Sequence, residues 1–337
     1  IKDSKETILF VTADPDKASP ELKPPTKLKN NPVFKPFEFF VKMYGLPSYN
    51  EIDPTPVLAL TYILFFGIMF GDVGQSAVLA LLGFILYAKK KIPLAGIVGM
   101  VGLSGIIFGF VYGSIFGNEE LIPHIISPMH SINQMLIITI GMGVFFIIVG
   151  LMLNIINSFK KGDAGGAIFG HNGIAGMVFY VTLLATLLGK LLGMFYIPTA
   201  LSGVLIGVSL VCMYLCEPLS KLIKGRKHWL PKDGMFYVES VFELFEVVLS
   251  YMTNTISFLR IGAFAIVHVG MMMVVAVLSE GGGVGGAIVN ILGNILVMGL
   301  EGLIVGIQVL RLEYYEMFSR YFDGQGREFI SVSEKEK

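Results

Sequence analysis

Long apolar runs alternate with short polar punctuation through most of this chain. The runs fall at roughly 56–88, 93–116, 132–159, 172–194, 198–216, 235–279 and 287–321. Each has about the ~20 residues that a membrane-spanning helix needs. The first run is interrupted by Gly71-Asp72-Val73-Gly74-Gln75-Ser76, which predicts a hairpin of two short helices. Glycine-rich faces such as GIVGMVGLSGIIFGFVYG suit close helix packing in lipid. The pattern predicts an all-α polytopic membrane protein with about eight transmembrane helices, the first two a short hairpin.

Two runs are too long for a simple crossing. Residues 235–279 contain no proline, and no glycine before Gly262. As one straight helix they would extend roughly 67 Å at 1.5 Å per residue, against a hydrocarbon core of ~30 Å. Residues 287–321 are also oversized. The last two helices are therefore expected to be steeply tilted, or to stand out of the membrane at one end.

Composition supports this reading. Hydrophobic residues are 54% and charged residues 15% of the 337, with mean hydropathy +0.73. Soluble domains carry about 25% charged residues, so a soluble enzyme is excluded. A net charge of zero argues against a nucleic-acid partner. Cys212 and Cys216, one helical turn apart, read as structural thiols. Residues 1–55 are rich in Pro and Lys and read as a linker with little core of its own, followed by the apolar region 56–321 and a polar tail, 322–337.

The charges segregate. Lys and Arg gather at 1–55, Lys89–Lys91, Lys160–Lys161, 221–232 and the C-terminus, whereas 117–131 and 279–286 hold Glu119, Glu120 and Glu280 without Lys or Arg. The positive-inside rule puts the first group, with both termini, in the cytoplasm. Short loops and the lack of an Asn-x-Ser/Thr acceptor favour the cell membrane of an archaeon or bacterium.

A few charges lie inside the runs. Arg260 is mid-segment, where a charge costs ~2.5–3.5 kcal/mol on insertion scales, so it faces a partner, a cavity or a pathway. Glu246, Thr253 and Arg260 recur every seven residues and share a helical stripe. His268 lies two turns beyond Arg260, rotated by about 80°. Glu301, Gln308 and Arg311 fall on adjoining faces of the last helix. Lys190, Arg320 and Arg327 read as structural charges, and Glu313 and Glu316 as reaching the cytoplasmic interface.

The run SYMTNTISFLRIGAFAIVH resembles the signature helix of the a/I subunit of V-type and A-type ATPases, S-(Y/F)-L-R-L-x-A-x-x-x-x-H. LEGLIVGIQVLRLEYYEMFSRYFDGQGREF is similar to that family's closing segment, and FGIMFGDVGQS resembles its F-G-x-M-x-G-D-x-G-(H/Y)-G. PTKLKNN with FEFFVKMYGLPSYNEIDPTP resembles the entry to its membrane domain. The matches run in order from about residue 25 to 329. They depart from the pattern at Gln75-Ser76 and Ile261-Gly262, neither of which touches the ionisable set.

The resemblance implies a stator against which a ring of proteolipid subunits turns, each carrying one mid-membrane carboxylate. Residues 1–55 would then be the cytoplasmic connector from the family's N-terminal domain, missing here, 56–321 the transmembrane ion-translocating domain and 322–337 a cytoplasmic tail. Arg260, with Arg311 and Gln308, would meet that carboxylate. Glu301 and His268 would line an external half-channel, and Glu246 and Asp72 a cytoplasmic one. The implied partners are the proteolipid ring, peripheral-stalk subunits of E/G type bound through the missing domain, a central-stalk d/C-type subunit, and membrane lipid. No resident cofactor is implied, the cargo being H⁺ or Na⁺. The chain has no phosphate-binding Gly-rich loop with Lys-Ser/Thr, so nucleotide chemistry would belong to other subunits. An ion-coupled secondary transporter also predicts broken helices and buried charges, but no internal repeat matches 56–88. An ion channel would need a repeated pore loop, and none is visible.

Overall fold

The computed structural model describes residues 24–329, apart from residues 50, 119–121, 124, 127, 130, 193–197, 224–233 and 282. The loop acids Glu119 and Glu120 therefore lie outside the described residues. The described chain is helical, with isolated bridges and no strand. It runs through α1 (Glu38–Tyr44), α2 (Thr55–Phe70), α3 (Val73–Lys90), α4 (Pro93–Tyr112), α5 (Ile132–Lys160), α6 (Ala164–Phe169) and α7 (Ile174–Leu192). It continues through α8 (Thr199–Tyr214), α9 (Cys216–Ile223), α10 (Gly234–Ser257), α11 (Leu259–Ser279) and α12 (Gly283–Leu312). A π-helical turn, Glu313–Phe318, and a last short helix, α13 (Ser319–Tyr321), close the series.

Among the described residues, six helices are long and apolar enough to cross a membrane, and a seventh span results if the bent pair α8–α9 counts as one. α2 is the short apolar helix of 16 residues that the broken first run predicts. The chain is an all-α polytopic membrane protein.

The hairpin turns where Gly71 and Asp72 interrupt the run. α3 and α4 then pack with their backbones almost touching. A Cβ on Gly83, Gly102 or Gly109 would collide with the facing backbone at Gly99, Ala80 or Val73. Small residues thus make this contact, as van der Waals packing in lipid requires.

Neither overlong run is one regular helix. The 46-residue stretch Gly234–Ser279 breaks between α10 and α11. Phe258, fully buried, fills the break. Its ring lies 5.9 Å from that of Phe65 and presses on Gly143 of α5. The ladder there tightens to Ile261 N–H donating to the Phe258 carbonyl, 3.0 Å. The last stretch, Gly283–Tyr321, is continuous over 39 residues but contains the π turn.

Residues 24–53 are less linker-like than their composition suggests. Phe37, Phe40 and Val41 are buried in the main core, because α1 lays one apolar side against α2. The described end of the tail folds back on this segment. Thr26 N–H donates to the Arg327 carbonyl at 2.8 Å and Gly326 N–H to the Leu46 carbonyl at 2.8 Å. Asn157 of α5 joins both, accepting from Ile52 N–H at 3.1 Å and donating to the Tyr321 carbonyl at 2.9 Å. Lys161 completes the clasp, 2.8 Å from Glu51 and 2.7 Å from Asp323. Burial works against the Lys161 charge, but the hydrogen bonds to Asp323 and Glu51 outweigh it, and its pKa is raised.

Candidate functional site

The break beside Phe258 and the π turn lie opposite one another. Arg260, in the first turn of α11, reaches the last helix there, its Nη2 3.5 Å from Glu316 Oε1. The side chains are 16% and 5% exposed. A π turn fits an extra residue into the helical repeat and rotates the side chains beyond it. Glu313 and Glu316 both end up buried, contrary to their expected place at the cytoplasmic interface. Glu313 sits beside Thr61 of α2, and Glu316 beside Ser257. Among the described residues, Arg260 Nη1 has no hydrogen-bond partner. Arg311 is exposed and close enough for its charge to act on both Arg260 and Glu316. Gln308 is half-buried and makes no hydrogen bond to either arginine.

Deeper along α11 and α12, His268 Nδ1 meets Glu301 Oε2 at 2.6 Å, with both side chains at most 3% exposed. Thirty-three positions separate them in sequence. The Phe70 ring at the end of α2 closes one side, 5.3 Å from the imidazole. Among the described residues, His268 Nε2 and Glu301 Oε1 lack hydrogen-bond partners.

The polar line continues along α12. Asn294 Oδ1 accepts from Gln75 Nε2 at 3.0 Å, and its Nδ2 donates to Asn290 Oδ1 at 2.9 Å. Gln75, Asn290 and Asn294 line a cavity of about 330 Å³ that also touches Phe116 and Met298. Asn290, Asn294 and Glu301 are spaced by four and seven, which puts them on one helix face. That spacing is the signal by which sequence reasoning could have found the two asparagines.

Glu246 and Thr253 are exposed while Arg260 is half-buried, so the seven-residue stripe does not continue unchanged past the break. Glu246 lines a separate cavity of about 540 Å³ with Glu217, Glu239, Glu243 and His171. His171 Nε2 lies 3.0 Å from Glu243.

Asp72 does not accompany Glu246. It is fully buried at the end of the α2–α3 hairpin opposite Lys89–Lys91, beside the residues after α4. Its Oδ1 accepts from Gln75 N–H at 2.8 Å and Phe116 N–H at 3.1 Å; its Oδ2 accepts from Ser114 Oγ and Gly117 N–H, both at 2.8 Å. The reason is local: Asp72 is the N-cap of α3, and four donors hold both oxygens. Asp72 thus serves as a helix cap and does not share the cavity that Glu246 lines.

Arg320 is structural, as its position suggests. It is 6% exposed, stacks 4.5 Å over Tyr251 and donates to Asn172 at 3.0 Å. Among the described residues, no group of three His, Cys, Asp or Glu side chains is placed to hold a metal ion.

The comparisons with known proteins agree with the motifs. Residues 4–117 match the V-type ATPase 116kDa subunit family. The A-type ATP synthase subunit I of Pyrococcus horikoshii is 29% identical over 92% of this chain and 48% of its own length. That of Methanocaldococcus jannaschii is 26% identical, over 98% and 52%. That of Archaeoglobus fulgidus is 30% identical, over 91% and 53%. The chain spans about half the length of these curated relatives. With the signature helix, the closing segment and the helical architecture, these matches make the chain similar to the V-type ATPase 116kDa subunit family and to A-type ATP synthase subunit I.

Proposed function

We propose that this chain is the membrane part of a rotary-ATPase stator, passing H⁺ or Na⁺ between two half-channels and a proteolipid ring. The observation that carries this is the Arg260–Glu316 ion pair, set where two long helices are both irregular. At an effective dielectric of 20, two unit charges 4 Å apart interact by about 4 kcal/mol. That is about a thousandfold in an ionisation equilibrium. Arg260 is therefore strong enough to drive a ring carboxylate to release its ion, with Glu316 taking up the guanidinium as that carboxylate leaves. Its permanent charge also blocks ions from passing straight between the half-channels. Arg311 extends the field.

The external half-channel runs along the Gln75–Asn290–Asn294 cavity to His268 and Glu301. The cytoplasmic one opens through the acidic cavity that includes Glu246. Lys89–Lys91 and Lys160–Lys161 orient the chain with both ends in the cytoplasm, in the cell membrane of an archaeon or bacterium. The 1–55 segment enters from an N-terminal domain that takes the peripheral stalk, and a central-stalk d/C-type subunit meets the ring.

The test is ATP-driven ion flux in the reconstituted complex with Arg260→Ala. The expected result is loss of coupled flux, at least about a hundredfold, with the complex still assembled. Near-normal coupled flux would make Arg260 structural and remove this mechanism. A chain that carries ions alone in liposomes, without a ring, would support a secondary transporter instead.

A further inference from the structure

A third polar cavity lies away from the ion path, at the end of the hairpin marked by Lys89–Lys91. It measures about 490 Å³ and is lined by Lys35 and Lys42 from the α1 region, by Tyr87 and Lys91 at the end of α3, and by Pro93 opening α4. Glu38 also lines it, but its carboxylate is held by Asn30 Nδ2 at 3.1 Å. Lys42 pairs with Glu328 at 2.8 Å, both about half exposed, so that contact is weak and easily exchanged. Three lysines against one engaged carboxylate leave the lining positive, and Lys89 and Lys90 precede it directly.

The cavity adjoins an apolar groove of about 380 Å³ between α2, α4 and α12. The two meet along neighbouring residues, Phe39 with Phe40 and Pro93 with Leu94. Leu94, Ile97 and Val101 form one wall of the groove, and Gly302 and Gly306 of α12 the other. A helix is about 10–12 Å across with its side chains, too thick for a groove of this volume. An acyl chain fits. Beside the cavity, α1 turns Phe39 and Met43 outward, 41% and 56% exposed. Apolar side chains next to lysines mark a helix lying at headgroup depth.

We infer that the cavity and groove together form a binding site for one anionic phospholipid. Lys35, Lys42 and Lys91 hold its phosphate, and one acyl chain lies in the groove against α12. The lipid thereby backs the helix that carries Glu301 and Arg311. The site requires the chain to lie in a membrane in the orientation proposed above, and does not depend on ion transport.

The test is lipid retention by the full chain in its purified complex, read by native mass spectrometry after addition of phosphatidylglycerol or phosphatidylcholine. Wild type should retain phosphatidylglycerol in preference to phosphatidylcholine. K35Q/K42Q/K91Q should lower that retention at least tenfold without changing complex assembly. Val98→Trp, which fills the groove and leaves the lysines, should lower it as well. Equal retention of both lipids, or wild-type retention in the lysine variant, would overturn the site. If Val98→Trp keeps full retention and millimolar inorganic phosphate strips the lipid, the lysines form a phosphate site only and the acyl part is wrong. Cross-linking of Val98→Cys to a ring subunit would give the groove to the ring and also overturn it. Lipid retention with Arg260 shown to be dispensable would sink the ion mechanism and leave the lipid site standing.

Discussion

Asp72 and Glu301 are both buried carboxylates on apolar helices, and they are treated in opposite ways. Asp72 has four donors on its two oxygens, three from backbone or hydroxyl groups brought by the segment after α4. Among the described residues, Glu301 has one partner, His268, and leaves Oε1 open, as His268 leaves Nε2. A buried polar group without a partner is costly, so a fold keeps one only where something else requires it. The filled carboxylate is a joint of the scaffold. In the mechanism proposed above, the half-filled one is the group left available for exchange.

The comparison breaks most visibly at Asp72. Asp72→Ala strands four donors at once, two of them buried and two part-buried, and should cost about 2–4 kcal/mol. Thermal unfolding of the purified chain should show a large fall in midpoint; a shift within a degree or two would mean that the cap is not a joint. Glu301→Gln sharpens the contrast. The amide nearly matches the carboxylate in shape, so the unfolding midpoint should move little, while ATP-driven ion flux in the complex falls by about tenfold or more. Unfolding as severe as that of Asp72→Ala, with residual flux unchanged, would erase the distinction between the two sites.

The smallest effect belongs to Lys161, a paired charge at the surface rather than in the interior. Its raised pKa means that its contribution is fully present below the ordinary lysine value of 10.5 and disappears as pH climbs through the folded-state value. With a third of the side chain exposed, solvent screening limits the contribution to about 0.5–1 kcal/mol. Lys161→Met should lower the unfolding midpoint slightly at pH 8 and match wild type once the pH has passed the raised folded-state value. A deficit of equal size at both pH values would assign the effect to lost packing.

Much of this architecture is visible in the one-dimensional pattern. The apolar runs correspond to the helices, the glycines of α4 to its contact with α3, and the polar break at 71–76 to the hairpin turn. Arg260, His268, Glu301 and Arg311 stand out because ionisable groups are rare in such surroundings. What stays hidden has local causes. Glu313 and Glu316 come after an apolar run at a spacing that reads as an interfacial helix end, and nothing in residue propensity announces a π turn that rotates them inward. Phe258 breaks the α10–α11 helix through its contact with Phe65 and Gly143, far away in sequence. Asp72 stands out as a buried charge and so reads as a channel group, although Asp72-x-x-Gln75 is also the pattern of a helix start.

The clasp between residues 24–53 and the tail has a consequence for the order of events during synthesis. Lys42 and Glu328 are 286 positions apart. Leu46 has no tail segment to pair with until the last helix has been made and threaded. Contacts of such long range close late, after the shorter-range helix pairs have formed. Closure of the clasp thus reports that the last helix is in place: a product that stalls before it leaves its 24–53 segment uncovered and open to proteolysis.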